Sequence, residues 1–314
     1  MVVGAAVASR LVAAAPVRRI GALLQDNAPS RASLAVFQQR LRELGWVDGE
    51  NLQFEIRWAG DDSPKARSLA AELVGARPDV IFAQGTGSMV ALLRHATTVP
   101  VVFVQITDPM KAGFVKDLER PGGQVTGFAN FGSDVAGIRV RLLREFAPKL
   151  QRLFVVRDEA YPSPPGLWQE TETVADELKL PLLNAGIREA SELAPAIAKF
   201  SAEPNGGLVV FSDPFTNAES VRITELAIQH RLPSVYSLAS FAENGGLLSY
   251  GIDLRAMWRS AADYVDRILH GTKAGELPVR TPEVPEIAVN LKTARAIGLS
   301  VPDNVRSRAT RVIE

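Results

Sequence analysis

Gly85-Thr86-Gly87-Ser88 follows the apolar run 80–82 and precedes a helical stretch that opens at Val90. Two glycines and two hydroxyls at a strand-to-helix turn leave a nest of backbone N–H groups that suits a carboxylate or another anion. Nucleotide chemistry does not fit. The phosphate-loop pattern fails for want of its lysine, and Val90 stands where a dinucleotide fingerprint needs its third glycine. No nucleophile elbow surrounds Ser88. Two Asp-Pro pairs, Asp108-Pro109 and Asp213-Pro214, echo each other at the ends of apolar runs, and a carboxylate there can pair with an ammonium. Gln25 and Asn27 follow the first run, while Tyr161, Phe215, Tyr236 and Tyr250 stand at or near later ones and can cover an apolar or cationic body. The set describes a small amphoteric molecule gripped without chemistry. Each member also has a plainer reading: both aspartates as helix caps, the glycines as a tight turn, the aromatics as packing.

These residues must be positioned by the elements before them. Runs at 19–25, 79–83 and 101–105 read as strands, and 52–59 alternates as a strand with one wet side, towards a sheet edge. Helical patterns at 33–44, 64–76 and 88–97 separate them. After a short strand at 125–129 and a helix at 135–146 the rhythm restarts. Strands at 153–156, 181–185, 208–212 and 234–237 then alternate with helices at 167–178, 191–200 and 218–230. Continuous apolar strands between helices indicate parallel βαβ units covered on both faces. In such sheets ligands sit beyond the carboxyl ends of the strands, where these turns fall. The tail holds a strand at 247–251, a long amphipathic helix at 255–270, a Pro-rich stretch, a strand at 286–290 and a last helix at 291–297. A chain with such spare elements returns to its first sheet. The expected fold class is α/β, with two doubly wound parallel-sheet lobes joined by a multi-crossing hinge. The expected lobes are 17–130 with about 250–277, and 131–249 with about 278–314.

Composition narrows the function. Lys+Arg and Asp+Glu both number 35 in 314 residues, so no global field attracts nucleic acid or anionic lipid. With no cysteine there are no disulfides, thiol nucleophiles, thiolate metal sites or lipid-anchored thiols. The three histidines lie far apart in sequence, so no imidazole metal cluster and no cofactor is expected. Residues 1–16, small and apolar, resemble the late part of an export signal or a flexible tail. No later run reaches the ~20 apolar residues of a membrane span.

Six stretches resemble the ABC-transporter substrate-binding proteins of the tryptophan/tyrosine type: 18–25, 41–52, 69–80, 108–127, 241–251 and 290–302. Their order runs from residue 18 to near the carboxyl terminus. The resemblance implies a type I periplasmic binding protein architecture and an exported, periplasmic receptor that is not an enzyme. Such a receptor captures a small amphoteric or carboxylate-bearing molecule, amino acids and aromatic amino acids among them, by hinge closure. It passes the ligand to an ABC permease in the inner membrane and is expected to act as a monomer. By position Thr86, Ser88, Asp108, Asp213 and Tyr250 carry over as ligand contacts. Two turns depart from the family's usual pattern: Gly87 follows the threonine in 84–88, and 158–165 lacks an Asn-Pro. The rival readings are a ligand-sensing module of a regulator or signalling receptor with the same fold, and an enzyme using Asp108 and Asp213 as paired carboxylates.

Overall fold

The computed structural model describes residues 16–59, 63–95, 98–158, 165–184, 186–282 and 284–314; the expected export segment lies outside them, apart from Pro16. The first sheet is built by β1 (Arg18–Leu24), α1 (Ala28–Glu43), β2 (Leu52–Trp58), α2 (Ser63–Gly75), β3 (Val80–Gln84), α3 (Gly85–Leu93), β4 (Val101–Ile106) and β5 (Val125–Ala129). All its pairings are parallel, in the order β2-β1-β3-β4-β5. β3 and β5 are buried along their whole length, whereas β2, the alternating strand, lies at the edge as its wet side requires. Gly127 permits the β4–β5 contact, since a methyl group there would sit 2.1 Å from the Phe103 carbonyl oxygen.

The second sheet begins after α4 (Asp134–Phe146), with β6 (Arg152–Val156), α5 (Pro165–Glu177), β7 (Leu182–Asn184), α6 (Ala190–Ser201) and β8 (Gly206–Val210). It continues through α7 (Pro214–Ala218), α8 (Ser220–Gln229), β9 (Ser234–Tyr236), α9 (Ala239–Glu243) and β10 (Leu248–Gly251). The chain then crosses back. α10 (Leu254–Leu269) packs on the first sheet, where Trp258 meets the Phe82 ring edge-on at 5.0 Å and Phe37 stacks on Phe82 at 4.3 Å. Arg40 of α1 pairs with Asp263 of α10 at 2.7 Å. Beyond α10 the backbone still follows the first sheet, with Arg280 bridged to Phe128. Only then does it return as β11 (Glu286–Asn290), α11 (Leu291–Ala296), α12 (Asp303–Arg306) and β12 (Arg311–Ile313). The second sheet reads β12-β11-β10-β9-β8-β6-β7.

The protein is therefore an α/β fold of two lobes, joined where the chain passes between β5 and α4, between β10 and α10, and between Arg280 and β11. The sheets are not wholly parallel: β11 runs antiparallel to β10. A strand that enters from the hinge must start where its neighbour ends, so its direction is reversed. Helix starts also fall earlier than the periodicity predicts. Asn27, with Pro29 in the first turn, caps α1 ahead of Ser33, and Gly85, at φ +78°, turns the chain from β3 straight into α3. Among the described residues no helix is long and apolar enough to cross a membrane.

Candidate ligand-binding site

Two crossings leave from the carboxyl ends of β5 and β10, so each sheet turns its strand ends towards the hinge side. On the first lobe this wall is made by the ends of β1, β3 and β4. Gly85-Thr86-Gly87-Ser88 is the first turn of α3 rather than a loop before it. Thr86 and Gly87 are exposed and Ser88 is buried. The residue before the helix, Gln84, makes no side-chain cap, so it leaves the leading N–H groups of α3 uncapped. Together they form the positive end of the helix dipole.

Behind this turn lies a cluster of amides. Gln84, 3% exposed, accepts the Gln25 N–H through Oε1 at 3.1 Å. Its Nε2 donates to Ser30 Oγ at 2.8 Å and to Gln105 Oε1 at 2.7 Å. Gln105 sits at φ +59°, within the register shift between Val104 and Ile106. The structure thus brings Gln25, Gly85, Thr86 and Ser88 together. Asn27 faces its own helix instead: its side chain accepts the Ser30 N–H at 2.9 Å and caps α1. Asp108, at φ +50°, is exposed, and its carboxylate accepts the Lys111 N–H at 2.9 Å. Beside it Asn130 donates to Thr107 Oγ1 at 3.3 Å, while its Oδ1 is buried without a partner.

On the second lobe the corresponding strand ends carry Asp213 and Asp158. Asp213, 3% exposed, caps α7: Oδ1 accepts the Thr216 N–H at 2.7 Å, and Oδ2 accepts the Asp158 N–H at 2.9 Å. Burial pushes its pKa up, the neighbouring Asp158 carboxylate adds to the rise, and the backbone donors oppose it. Phe215 is half-buried one turn away, against the core. Arg157 donates to Asn184 Oδ1 at 3.2 Å and lies 5.2 Å from the Trp168 ring centroid. Tyr250 is half-buried on the face of the sheet covered by α4, and its carbonyl accepts Arg139 Nε at 2.8 Å. Burial lowers the Arg139 pKa to about 10.

Two expected members stand apart. Tyr236 is 0% exposed, its ring stacked on Phe241 at 4.8 Å, and is a core residue rather than a wall residue. Tyr161 lies outside the described residues. Residues that the motif search passed over are Gln84 and Gln105, polar groups closing otherwise apolar strands, and Thr216, whose hydroxyl donates to the Phe211 carbonyl at 2.6 Å. Among the described residues no group of three His, Asp or Glu side chains is placed to hold a metal.

Known proteins share this fold. A tyrosine-binding protein of Clostridioides difficile (strain R20291) is 26% identical over 278 residues, 86% of this chain and 78% of that protein. A Streptococcus pneumonia ABC domain solved in complex with L-Trp has TM-score 0.82 at 23% identity, over 94% of this chain and 99% of that one. The ligand-free, open structure of a Clostridium difficile substrate binding protein with adhesive properties has TM-score 0.72 at 25% identity, over 95% and 99%. The model of the ABC transporter substrate binding protein family matches residues 27–313, and the chain belongs to that family.

Proposed function

We propose that the protein is the exported receptor of an ABC importer and that it captures an amino acid, an aromatic one, between its lobes. The observation that carries this is the opposed polarity of the two walls. One presents the uncapped amino end of α3, and the other presents the buried Asp213 carboxylate. An amino acid bears an anionic and a cationic group on one carbon, and each wall suits one of them. Phe215, half-buried two residues after Asp213, is the aromatic nearest that wall in the chain. The names of the relatives, one binding tyrosine and one solved with tryptophan, support the same class. Closure of the lobes is driven by the ligand's extra contacts in the closed state. The periplasm as its place and an inner-membrane permease as its partner follow from the same role, and the receptor acts as a monomer.

The test is native mass spectrometry of the purified protein, followed by thermal melts with L-tryptophan, L-tyrosine and other amino acids. A single released amino acid, or a melting shift of roughly 5 °C at a hundredfold excess over Kd, is expected. A protein that carries no ligand and melts at the same temperature with every amino acid is not this receptor.

A further inference from the structure

The turns that lead into β6, β8 and β9 lie at the end of the second sheet opposite the cleft, because these strands run parallel and their carboxyl ends face the hinge. Between those turns is a cavity of about 450 Å³, the size of a small-molecule site. Leu150, Leu232 and Leu299 give it an apolar lining, and three basic side chains, Lys149, His230 and Arg231, line it too. Basic residues at such a place ordinarily serve the carbonyl ends of the helices. Here those ends are already met. The Leu150 N–H donates to the Ala147 carbonyl after α4 at 3.0 Å, and Arg152 donates to the Phe200 carbonyl of α6 at 2.6 Å. α8 closes on its own backbone, the Arg231 N–H donating to Ile228 at 3.0 Å and the Leu232 N–H to Ala227 at 2.8 Å. Glu203, the carboxylate on the cavity wall, is engaged by Arg152 at 3.3 Å. Among the described residues neither the Lys149 ammonium nor the Arg231 guanidinium pairs with a carboxylate. The His230 ring is oriented as well. Ser201 donates its hydroxyl proton to the Ala198 carbonyl at 2.9 Å, so it accepts from His230, 2.8 Å away, and Nδ1 carries the ring proton. Nε2 has no partner among the described residues.

We propose that this cavity is a second ligand site, separate from the cleft, for a small organic anion: a carboxylate on an apolar body that carries no ammonium group. The apolar body lies against the leucines, and the carboxylate meets Lys149 and Arg231, whose charges nothing else on the wall answers. An amino acid suits the cavity poorly, because its ammonium would face the same two cations. The two sites therefore differ in the class of ligand they take as well as in their place on the lobe.

Phenylacetate is the probe, with its neutral amide, phenylacetamide, and the cation phenethylamine as controls. The chain has only three histidines, His95, His230 and His270, so the ring signals of His230 report on the cavity directly by NMR. Titration with phenylacetate is expected to shift the His230 signals to saturation while those of His95 and His270 stay in place. The amide and the amine should leave all three unmoved. Lys149→Gln combined with Arg231→Gln removes both cations from exposed positions, so the melting temperature should hold. The double variant should bind phenylacetate about tenfold more weakly, while calorimetry finds its affinity for L-tryptophan and L-tyrosine, the probes of the cleft, unchanged. His230 signals that do not respond, or that respond equally to acid, amide and amine, overturn the proposal. A double variant with the wild type's affinity for phenylacetate overturns it too.

Discussion

Asp213 is a buried cap of α7, and the proposed function asks the same carboxylate to meet a ligand's ammonium. Its oxygens each accept one backbone N–H, which fixes the carboxylate but leaves each oxygen room for a further donor. Burial raises its pKa, so ionisation costs more in the folded protein than in the unfolded chain. The sign follows. This group's contribution to stability is full at low pH and is lost as the pH rises through the raised value. An ammonium ligand has the opposite preference, because it pairs with the ionised form. Affinity for an amino acid is therefore expected to fall as the pH is lowered through the raised value. Asp213→Asn should bind at least tenfold more weakly at pH 7 and lose this pH dependence. Calorimetry across the range decides it; a variant with the wild type's affinity and pH profile returns Asp213 to a capping role alone. The sequence marks Asp213 and Asp108 alike, each before a proline. Only the fold separates them, burying Asp213 against Asp158 and leaving Asp108 exposed over Lys111.

At the scale of elements, α10 ties the tail to the first lobe. Its Trp258 is fully buried against Phe82, so Trp258→Ala removes a large ring from a close-packed site. A loss of about 3–5 kcal/mol is expected in denaturant unfolding followed by lobe-specific probes, with the first lobe melting ahead of the second. Simultaneous, unchanged melting of both lobes would show that the helix does not hold the first lobe together. The amphipathic pattern of α10 was legible in sequence, as were the buried strands, because continuous apolar runs between helices leave little else to fold into. The antiparallel direction of β11 was not, since it depends on where the chain re-enters and no local residue records that. Face was equally hidden. Tyr236 pairs with Ser249 in register, so the next residue, Tyr250, must project to the opposite face of the sheet. Both tyrosines stand at strand ends in the sequence, yet one stacks on Phe241 in the core and the other lies beside α4. Gln84 and Gln105 were visible as polar residues closing apolar strands, but their partnership needs β3 and β4 side by side.

At the scale of the whole molecule, three crossings join the two lobes, and the closure proposed above needs all three to flex together. Ligand can drive that motion only through contacts that the open form lacks, which in the proposed function are a carboxylate on α3 and an ammonium on Asp213 held at once. The chain has no cysteine, so labels can be placed without background. Met110 and Val221 are exposed on the hinge-side ends of the two lobes, one after β4 and the other early in α8. Spin labels on Met110→Cys and Val221→Cys should give a broad distance distribution in the free protein. Saturating ligand should narrow and shorten it, with the midpoint of the change at the calorimetric Kd. The same titration on Asp213→Asn should move the midpoint to higher concentration and leave the end point unchanged, because the hinge is intact and only the second wall's grip is reduced. A distribution that stays fixed while calorimetry reports binding would place recognition on one lobe alone.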